Sequence, residues 1–357
     1  MNSIPTFIKA AEVILPIGED LHQAFTQILA KKRKFGFKKL PTGEEFPCMI
    51  FEQPIGILEG SLKVANKLKD KLGFREFNPD TQLIFTTTKG DIEAKDFKNK
   101  KLWVTAQDLA KALNLTKEPI VVSCACISGV SGVGLASQLI SIGTIESALV
   151  VGADLVSEFI YSGFYSFKAI STKPCKPYHQ ERDGLNLGEG FAAIYLDSKS
   201  DRACAKVCGF AESNDANHIS GPSRDGEGLR IAMEKALRKA GVKVSEIDAV
   251  SSHGTATVYN DEMESIAYSR MEINAPVTSF KAYTGHTLGA AGLIEIALCT
   301  EAMQTNIWPS HIDADNLGVS GKIHILKENS SIDLNCILKT ASGFGGCNAA
   351  LVLKKCS

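Results

Sequence analysis

Cys126 lies where the stretch VVSCACISGVSGVG (121–134) passes from β-branched residues into small ones, the pattern of a strand giving way to a helix. A thiol at the start of a helix is more acidic than a free one, because unpaired backbone N–H groups and the helix dipole favour the thiolate. The small neighbours Ala125, Ser128 and Gly129 would let a substrate carbonyl approach it and let backbone N–H groups point at that carbonyl. Cys124, two residues earlier, reads as an inert small hydrophobe. His253 ends a strand and precedes Gly-Thr-Ala-Thr, and His286 stands in Thr-Gly-His-Thr, five residues after Lys281. Either histidine alone would be an ordinary structural or solvated residue. A nucleophilic thiol with two imidazole donors makes an acyl-transfer set: sulfur takes the acyl group, and the imidazoles and backbone N–H groups stabilise the oxyanion that follows.

The elements that must position these groups alternate. QLIFTTT (82–88), PIVVSC (119–124), ALVVGAD (148–154) and GFAAIYLD (190–197) read as strands. Helical patterns fall between them at 105–115 and 129–143. In the second part, residues 224–241 form an amphipathic helix ending in basic residues and a glycine, and 246–254 a strand that arrives at His253. GHTLGAAGLIEIALCTEAMQ (285–304) is a small-residue turn opening an apolar helix, a counterpart of CISGVSGVGLASQLIS in the first half. TASGFGGCNAALVLKK (340–355) is a glycine-rich turn feeding a strand. The pattern is that of an α/β protein with a weak internal duplication, its halves meeting at the polar DSKSDRA near residues 198–205. Residues 1–80 give no clear assignment.

The 357 residues are enough for two core-forming halves, and 44% hydrophobic with 22% charged residues is the balance of a globular enzyme. A formal net charge of −1 argues against nucleic-acid binding. KKRKFGFKK (31–39) is the one dense basic run, a solvated surface or a docking patch for an acidic partner. No stretch approaches the roughly 18 apolar residues of a membrane span, and the opening residues lack a secretory pattern, so a cytoplasmic location is expected. Ten scattered cysteines without a CxxC pair point to reduced thiols and no zinc site.

ACISGV (125–130), RDGLNLGEGFAAIYL (182–196), HGTAT (253–257) with NDEME (260–264), KAYTGHTLGAAG (281–292) and GFGGCNAA (343–350) stand in the order, and at about the spacing, of the motifs of β-ketoacyl-acyl carrier protein synthases. The sequence resembles that family, in its elongating Cys-His-His type, over about 230 residues. The resemblance implies the thiolase-like fold, two pseudo-duplicated halves (residues 1–200 with the nucleophile, 201–357 with the histidines) in five αβαβα layers, dimerised through the strand before the nucleophile. It also implies roles. Cys126 accepts the acyl chain; His253 and His286 assist malonyl decarboxylation and stabilise enolate and oxyanion; Lys281 organises the histidines with Glu295 as its ionic partner. The N–H groups of Cys126 and Phe344 form the oxyanion hole, with Phe344 as gate, and Thr255, Thr257 and Asn348 bind phosphopantetheine. The reaction implied is decarboxylative Claisen condensation in fatty acid, polyketide or aryl polyene synthesis, with no cofactor beyond the phosphopantetheine that arrives on the acyl carrier protein.

The sequence departs from the family pattern at several points. Ala256 replaces the second glycine of HGTGT, Cys347 a threonine, and His179 an aspartate. Only about 30 residues separate LIFTTT from PIVVS, fewer than the family carries there, and the opening segment lacks the usual glycine-marked first strand and turn. Alternatives stay open: one half of a ketosynthase/chain-length-factor heterodimer that is inactive alone, or a thiolase. Chain-length factors typically lose the nucleophile, which is present here, and thiolases lack the two-histidine pattern.

Overall fold

The computed structural model describes residues 4–39, 42–96 and 101–356. The first half contains β1 (Thr6–Ile14), α1 (Leu21–Leu29), the hairpin β2 (Gly36–Lys39) and β3 (Glu45–Cys48), α2 (Ile57–Leu72), β4 (Gln82–Thr86), α3 (Leu102–Ala112), β5 (Ile120–Val122), α4 (Ser128–Ser141), β6 (Ser147–Asp154), α5 (Glu158–Ser166) and β7 (Gly190–Asp197). The second contains β8 (Ala205–Asn214), α6 (Glu227–Ala240), β9 (Ala249–Ser251), α7 (Val258–Arg270), β10 (Val277–Thr278), the single turn α8 (Lys281–Thr284), α9 (Ala291–Thr305), β11 (Ile307–Trp308), β12 (Ser330–Ser331), β13 (Cys336–Gly343) and β14 (Cys347–Lys355).

The duplication expected from the sequence is present in the strand order. One run is β1-β7-β6-β4-β5 and the other β8-β14-β13-β9-β10. In each, the first two neighbouring pairs are antiparallel and the last two parallel. The runs join where Thr6–Ile8 of β1 pairs with Ala205–Val207 of β8. The helices α4 and α9 occupy the same place in each half, α4 between β5 and β6 and α9 between β10 and β13, where β6 pairs parallel with β4 and β13 parallel with β9.

Strand alternation builds the layers. In β6, Ala148 and Val150 face a middle core with α4 and α9, while Leu149, Val151 and Ala153 face an outer core with α2 and α3. In β14, Leu351 and Leu353 face the middle and Ala350 and Val352 an outer core with α6 and α7. The result is five layers, αβαβα, with α4 and α9 at the centre.

That centre is closed by glycines. A Cβ on Gly129 would lie 2.4 Å from the backbone nitrogen of Leu293, and one on Gly292 2.8 Å from that of Val130. The two helix starts therefore touch backbone to backbone.

The structure fills in what the sequence left unassigned. Residues 1–80 hold β1, the strand at the seam, and α2, a four-turn helix on the outer face. β1 forms without the glycine-marked pattern, and Gly18 closes the turn after it through a paired bridge with Leu15. The basic run is not one free patch: Arg33 donates to the carbonyls of Ala282 and Cys175, Lys31 pairs with Glu328 and Lys34 with Glu52. Among the described residues no helix is long and apolar enough to cross a membrane.

Gly129→Ala is expected to lower stability by roughly 1–3 kcal/mol, because a helix must shift to admit the methyl group. Gly163→Ala, in α5 with open space around it, is expected to be neutral or stabilising by up to about 1 kcal/mol. Thermal unfolding of the two variants measures the difference, and equal shifts would contradict the close helix contact.

Candidate active site

Cys126 sits on a sharp turn. Ala125 before it has φ 48°, a left-handed conformation uncommon for a residue with a Cβ. The turn is held by Ser128, whose hydroxyl accepts from the Cys124 N–H at 2.8 Å and donates to the Ala125 carbonyl at 2.6 Å. Cys124 is exposed, whereas Cys126 is buried and lines a 1070 Å³ cavity.

Burial pushes the Cys126 thiol up to about 12, opposed by the Lys281 ammonium and by the backbone N–H groups of Phe344 and Cys126 itself. Helix α4 begins two residues later, so the acidic thiol expected from a helix start is not the resting state; desolvation outweighs the local dipoles. The two N–H groups named for the oxyanion hole are nevertheless those that lie against the sulfur. Gly343 packs closely enough that a Cβ there would be 3.2 Å from the Cys126 nitrogen.

His253 and His286 line the same cavity, their rings edge to face at a centroid distance of 5.4 Å. Nδ1 of His286 accepts from the Leu288 N–H at 3.2 Å, which assigns the proton of the neutral ring to Nε2. Nδ1 of His253 is buried with no hydrogen-bond partner among the described residues. Burial, then the Lys281 ammonium, holds both imidazoles well below the usual histidine range, with Lys339 adding to the effect. Both are neutral at physiological pH.

The histidine loops are braced by buried groups that the sequence reading left without a role. Asp261 and Glu264 sit three residues apart on one face of α7. Glu264 accepts from the N–H groups of His253 and Gly254, each at 2.7 Å, and Asp261 from that of Thr255 at 3.0 Å. Burial and the neighbouring Glu264 raise Asp261 to about 7. The RDGLNLGEG segment braces the other loop: the His286 N–H donates to the Asn186 carbonyl at 2.8 Å, and Gly188 to that of His286 at 3.0 Å. Ala256, where glycine is the family pattern, has φ 62°, so the alanine carries left-handed strain. His179 is buried, its Nδ1 accepting from the Glu181 N–H at 3.0 Å.

The other named residues divide. Thr255 and Thr257 line the cavity with their hydroxyls 2.9 Å apart. Phe344 stacks on Phe164 at 5.2 Å and meets Phe167 edge-on at 5.5 Å, making an aromatic wall beside the thiol. Lys281 and Glu295 lie behind the histidines, paired at 2.6 Å and buried. Asn348 does not face the cavity. Its carbonyl accepts from Ser342 at 2.8 Å and its amide donates to Asp215 at 2.8 Å and to the Gly346 carbonyl at 3.1 Å, so its polar atoms clamp the loop before β14 rather than meet a ligand.

A buried thiol on a strained turn, two backbone N–H groups at its sulfur and two neutral imidazoles meet at one cavity, carried on the duplicated halves of an αβαβα fold. Two family models match the chain, Beta-ketoacyl synthase, N-terminal domain, over residues 63–202, and Beta-ketoacyl synthase, C-terminal domain, over 204–315. The chain belongs to the β-ketoacyl synthase family. The 3-oxoacyl-[acyl-carrier-protein] synthase 2 of Rhizobium meliloti is 34% identical over 253 residues, 65% of this chain and 59% of that protein, so the match spans about three fifths of that relative's length. A structure of a ketosynthase in complex with its chain length factor from Xenorhabdus doucetiae aligns with a TM-score of 0.89 at 24% identity, over 99% of this chain and 98% of the matched one. A β-ketoacyl synthase from Burkholderia phymatum aligns with a TM-score of 0.89 at 21% identity over both whole chains. At these identities the likeness of the structures is one of fold.

Because both imidazoles are held below the ordinary range, ¹⁵N-histidine NMR is expected to show neither titrating between pH 8 and about 6. A midpoint at or above about 6.5 for either ring would contradict the burial argument.

Proposed function

We propose that the protein is a condensing enzyme that joins an acyl chain held on Cys126 to a malonyl thioester delivered by an acyl carrier protein, the first half supplying the nucleophile and residues 201–357 the histidines. The observation that carries this reading is the convergence of the Cys126 thiol, His253 and His286 on the lining of one cavity. Family membership and the curated relative named as a synthase support it.

In the first step the Cys126 sulfur attacks the acyl thioester carbonyl and gives up its proton. The N–H groups of Cys126 and Phe344 receive the oxyanion, and collapse expels the carrier's thiol, which leaves protonated. The charge that develops on oxygen offsets the desolvation that keeps the resting thiol protonated. In the second step the malonyl thioester loses CO₂, and the electron pair left behind is held as an enolate by N–H groups of His253 and His286. A neutral imidazole donates a hydrogen bond to the enolate without protonating the carbon, which an imidazolium would quench. That carbon attacks the Cys126 thioester, a second oxyanion forms in the same hole, and its collapse releases the two-carbon-extended product and the Cys126 thiolate, which takes up a proton from water to restore the resting thiol. The chemistry needs no metal or redox group. In this reading Thr255 and Thr257, which line the cavity, hold the pantetheine arm.

The phosphopantetheine carrier points to a cytoplasmic setting and to an acidic partner protein. A second, related subunit fits the sheet edge. Among the described residues β5 pairs only with β4, so its outer edge, which leads directly to Cys124 and Cys126, is open to another chain. The aligned ketosynthase from Xenorhabdus doucetiae is solved with its chain length factor, which favours a heterodimer there.

Wild-type protein incubated with a panel of acyl-carrier-protein thioesters is expected to gain one acyl mass, and to yield the two-carbon-extended product once malonyl-carrier protein is added. Cys126→Ala is expected to do neither. Equal labelling of the variant would overturn the assignment of the nucleophile, and acylation without extension in the presence of malonyl-carrier protein would overturn the condensation.

A further inference from the structure

Glu295 has two partners. Lys281 approaches one carboxylate oxygen at 2.6 Å and Lys339, from β13, the other at 2.6 Å. All three side chains are buried. One carboxylate neutralises one ammonium, so the triad Lys281–Glu295–Lys339 keeps an excess positive charge in a desolvated interior, where an isolated charge costs several kcal/mol. Burial accordingly draws Lys339 below the usual lysine range, with Glu295 opposing it.

The position of Lys339 follows from strand register. β13 runs parallel to β9 with Lys339 opposite Ser251. The ammonium lies on the carbonyls of Ser251 at 3.3 Å, Ser252 at 3.2 Å and Thr340 at 2.5 Å. Ser251 and Ser252 immediately precede His253. Lys339 thus links the strand end that delivers one histidine to the carboxylate that anchors Lys281 beneath the other. It does not line the cavity and cannot touch a substrate there, and it lies beyond the residues matched by the family models.

Resting on the reading of His253 and His286 as neutral stabilisers, we propose that Lys339 is a positioning residue for the reaction at Cys126. It ties the end of β9 to Glu295, and its charge disfavours protonation of both imidazoles. Around the pair also lie Lys281 from α8, Glu295 and Cys299 from α9, Glu264 and Asp261 from α7, the Cys126 thiol, and Asp154 at the end of β6, which accepts from the Gly289 N–H at 2.8 Å. The sign is fixed by charge. Removing a nearby cation makes an imidazolium easier to form, so the pH below which activity falls moves upward.

The test compares wild type with Lys339→Met, which keeps length and removes charge, and Lys339→Arg, which keeps charge. In condensation assays Lys339→Met is expected to lower kcat at least about tenfold with KM for malonyl-carrier protein little changed, and to move the acid limb of the pH–rate profile up by about 0.5–1 unit. Lys339→Arg is expected to keep the wild-type limb. ¹⁵N-histidine NMR of the same proteins, which needs no turnover, is expected to show both imidazole midpoints raised in Lys339→Met. Should that variant fail to fold by circular dichroism, Lys339→Gln, which can still donate to the Ser251 and Ser252 carbonyls, takes its place with the same expectations. Midpoints and limb unmoved in the neutral variant, or a loss of rate uniform across pH, would overturn the proposal. A wild type inactive towards every thioester would instead sink the condensing function, and the NMR midpoints would still decide the role of Lys339.

Discussion

The contact between Gly129 and Gly292 sets the rest of the structure. Two central helices can bring their first turns together only if neither carries a side chain at the crossing, and each glycine here leaves less room than a methyl group needs. That approach places Cys126, two residues ahead of α4, beside His286, five residues ahead of α9. The duplicated half-sheets on either side then supply two rigid walls, and β9 delivers His253 from the second. The reacting groups come from strand and helix ends on a close-packed scaffold, which is where catalytic geometry is held most tightly.

Burial governs the electrostatics as much as it governs packing. It pushes the thiol up, the imidazoles down and Asp261 up, in every case toward the neutral form. Backbone dipoles and buried ammoniums then act on charge that appears only during reaction, where a low-dielectric interior makes them strongest. Lys281, Glu295 and Lys339 fit this logic as a fixed positive site behind the histidines. In the proposed reaction the same cation that keeps an imidazole neutral also lowers the cost of a thiolate or enolate in front of it.

Much of this site was legible in the sequence because the chemistry-bearing residues sit at element ends beside small residues, where a pattern break is visible. Cys126, His253 and His286 meet in one cavity for that reason. Lys339 was not legible. A single lysine in the apolar run CILKTAS reads as the outward position of an alternating strand, but both faces of β13 are covered, and by alternation Lys339 shares with Ile337 and Ala341 the face toward the middle core and α9. Asn348 failed in the opposite way, since a motif position does not say which way an amide points. Arg33 was counted with its basic neighbours although its guanidinium is folded back onto two carbonyls. The first 80 residues were opaque because α2 intersperses Lys63, Lys67, Lys69 and Lys71 among its apolar positions, diluting the buried stripe of Ile57, Ser61, Val64 and Leu68. In β1, Glu12 interrupts the apolar run, yet it is buried, accepting from the N–H groups of Leu21 and Val13.

The account is tested most directly by asking which sulfur the cavity presents to a pantetheine-borne electrophile. Treatment of the full-length protein with a chloroacetyl thioester of pantetheine, followed by peptide mapping by mass spectrometry, is predicted to leave one adduct, on Cys126, formed well ahead of any reaction at the exposed Cys124. An adduct that forms first on Cys124 or Cys347, or that spreads evenly over the accessible thiols, would contradict the claim that the helix contact, the backbone N–H groups and the two histidines together single out Cys126.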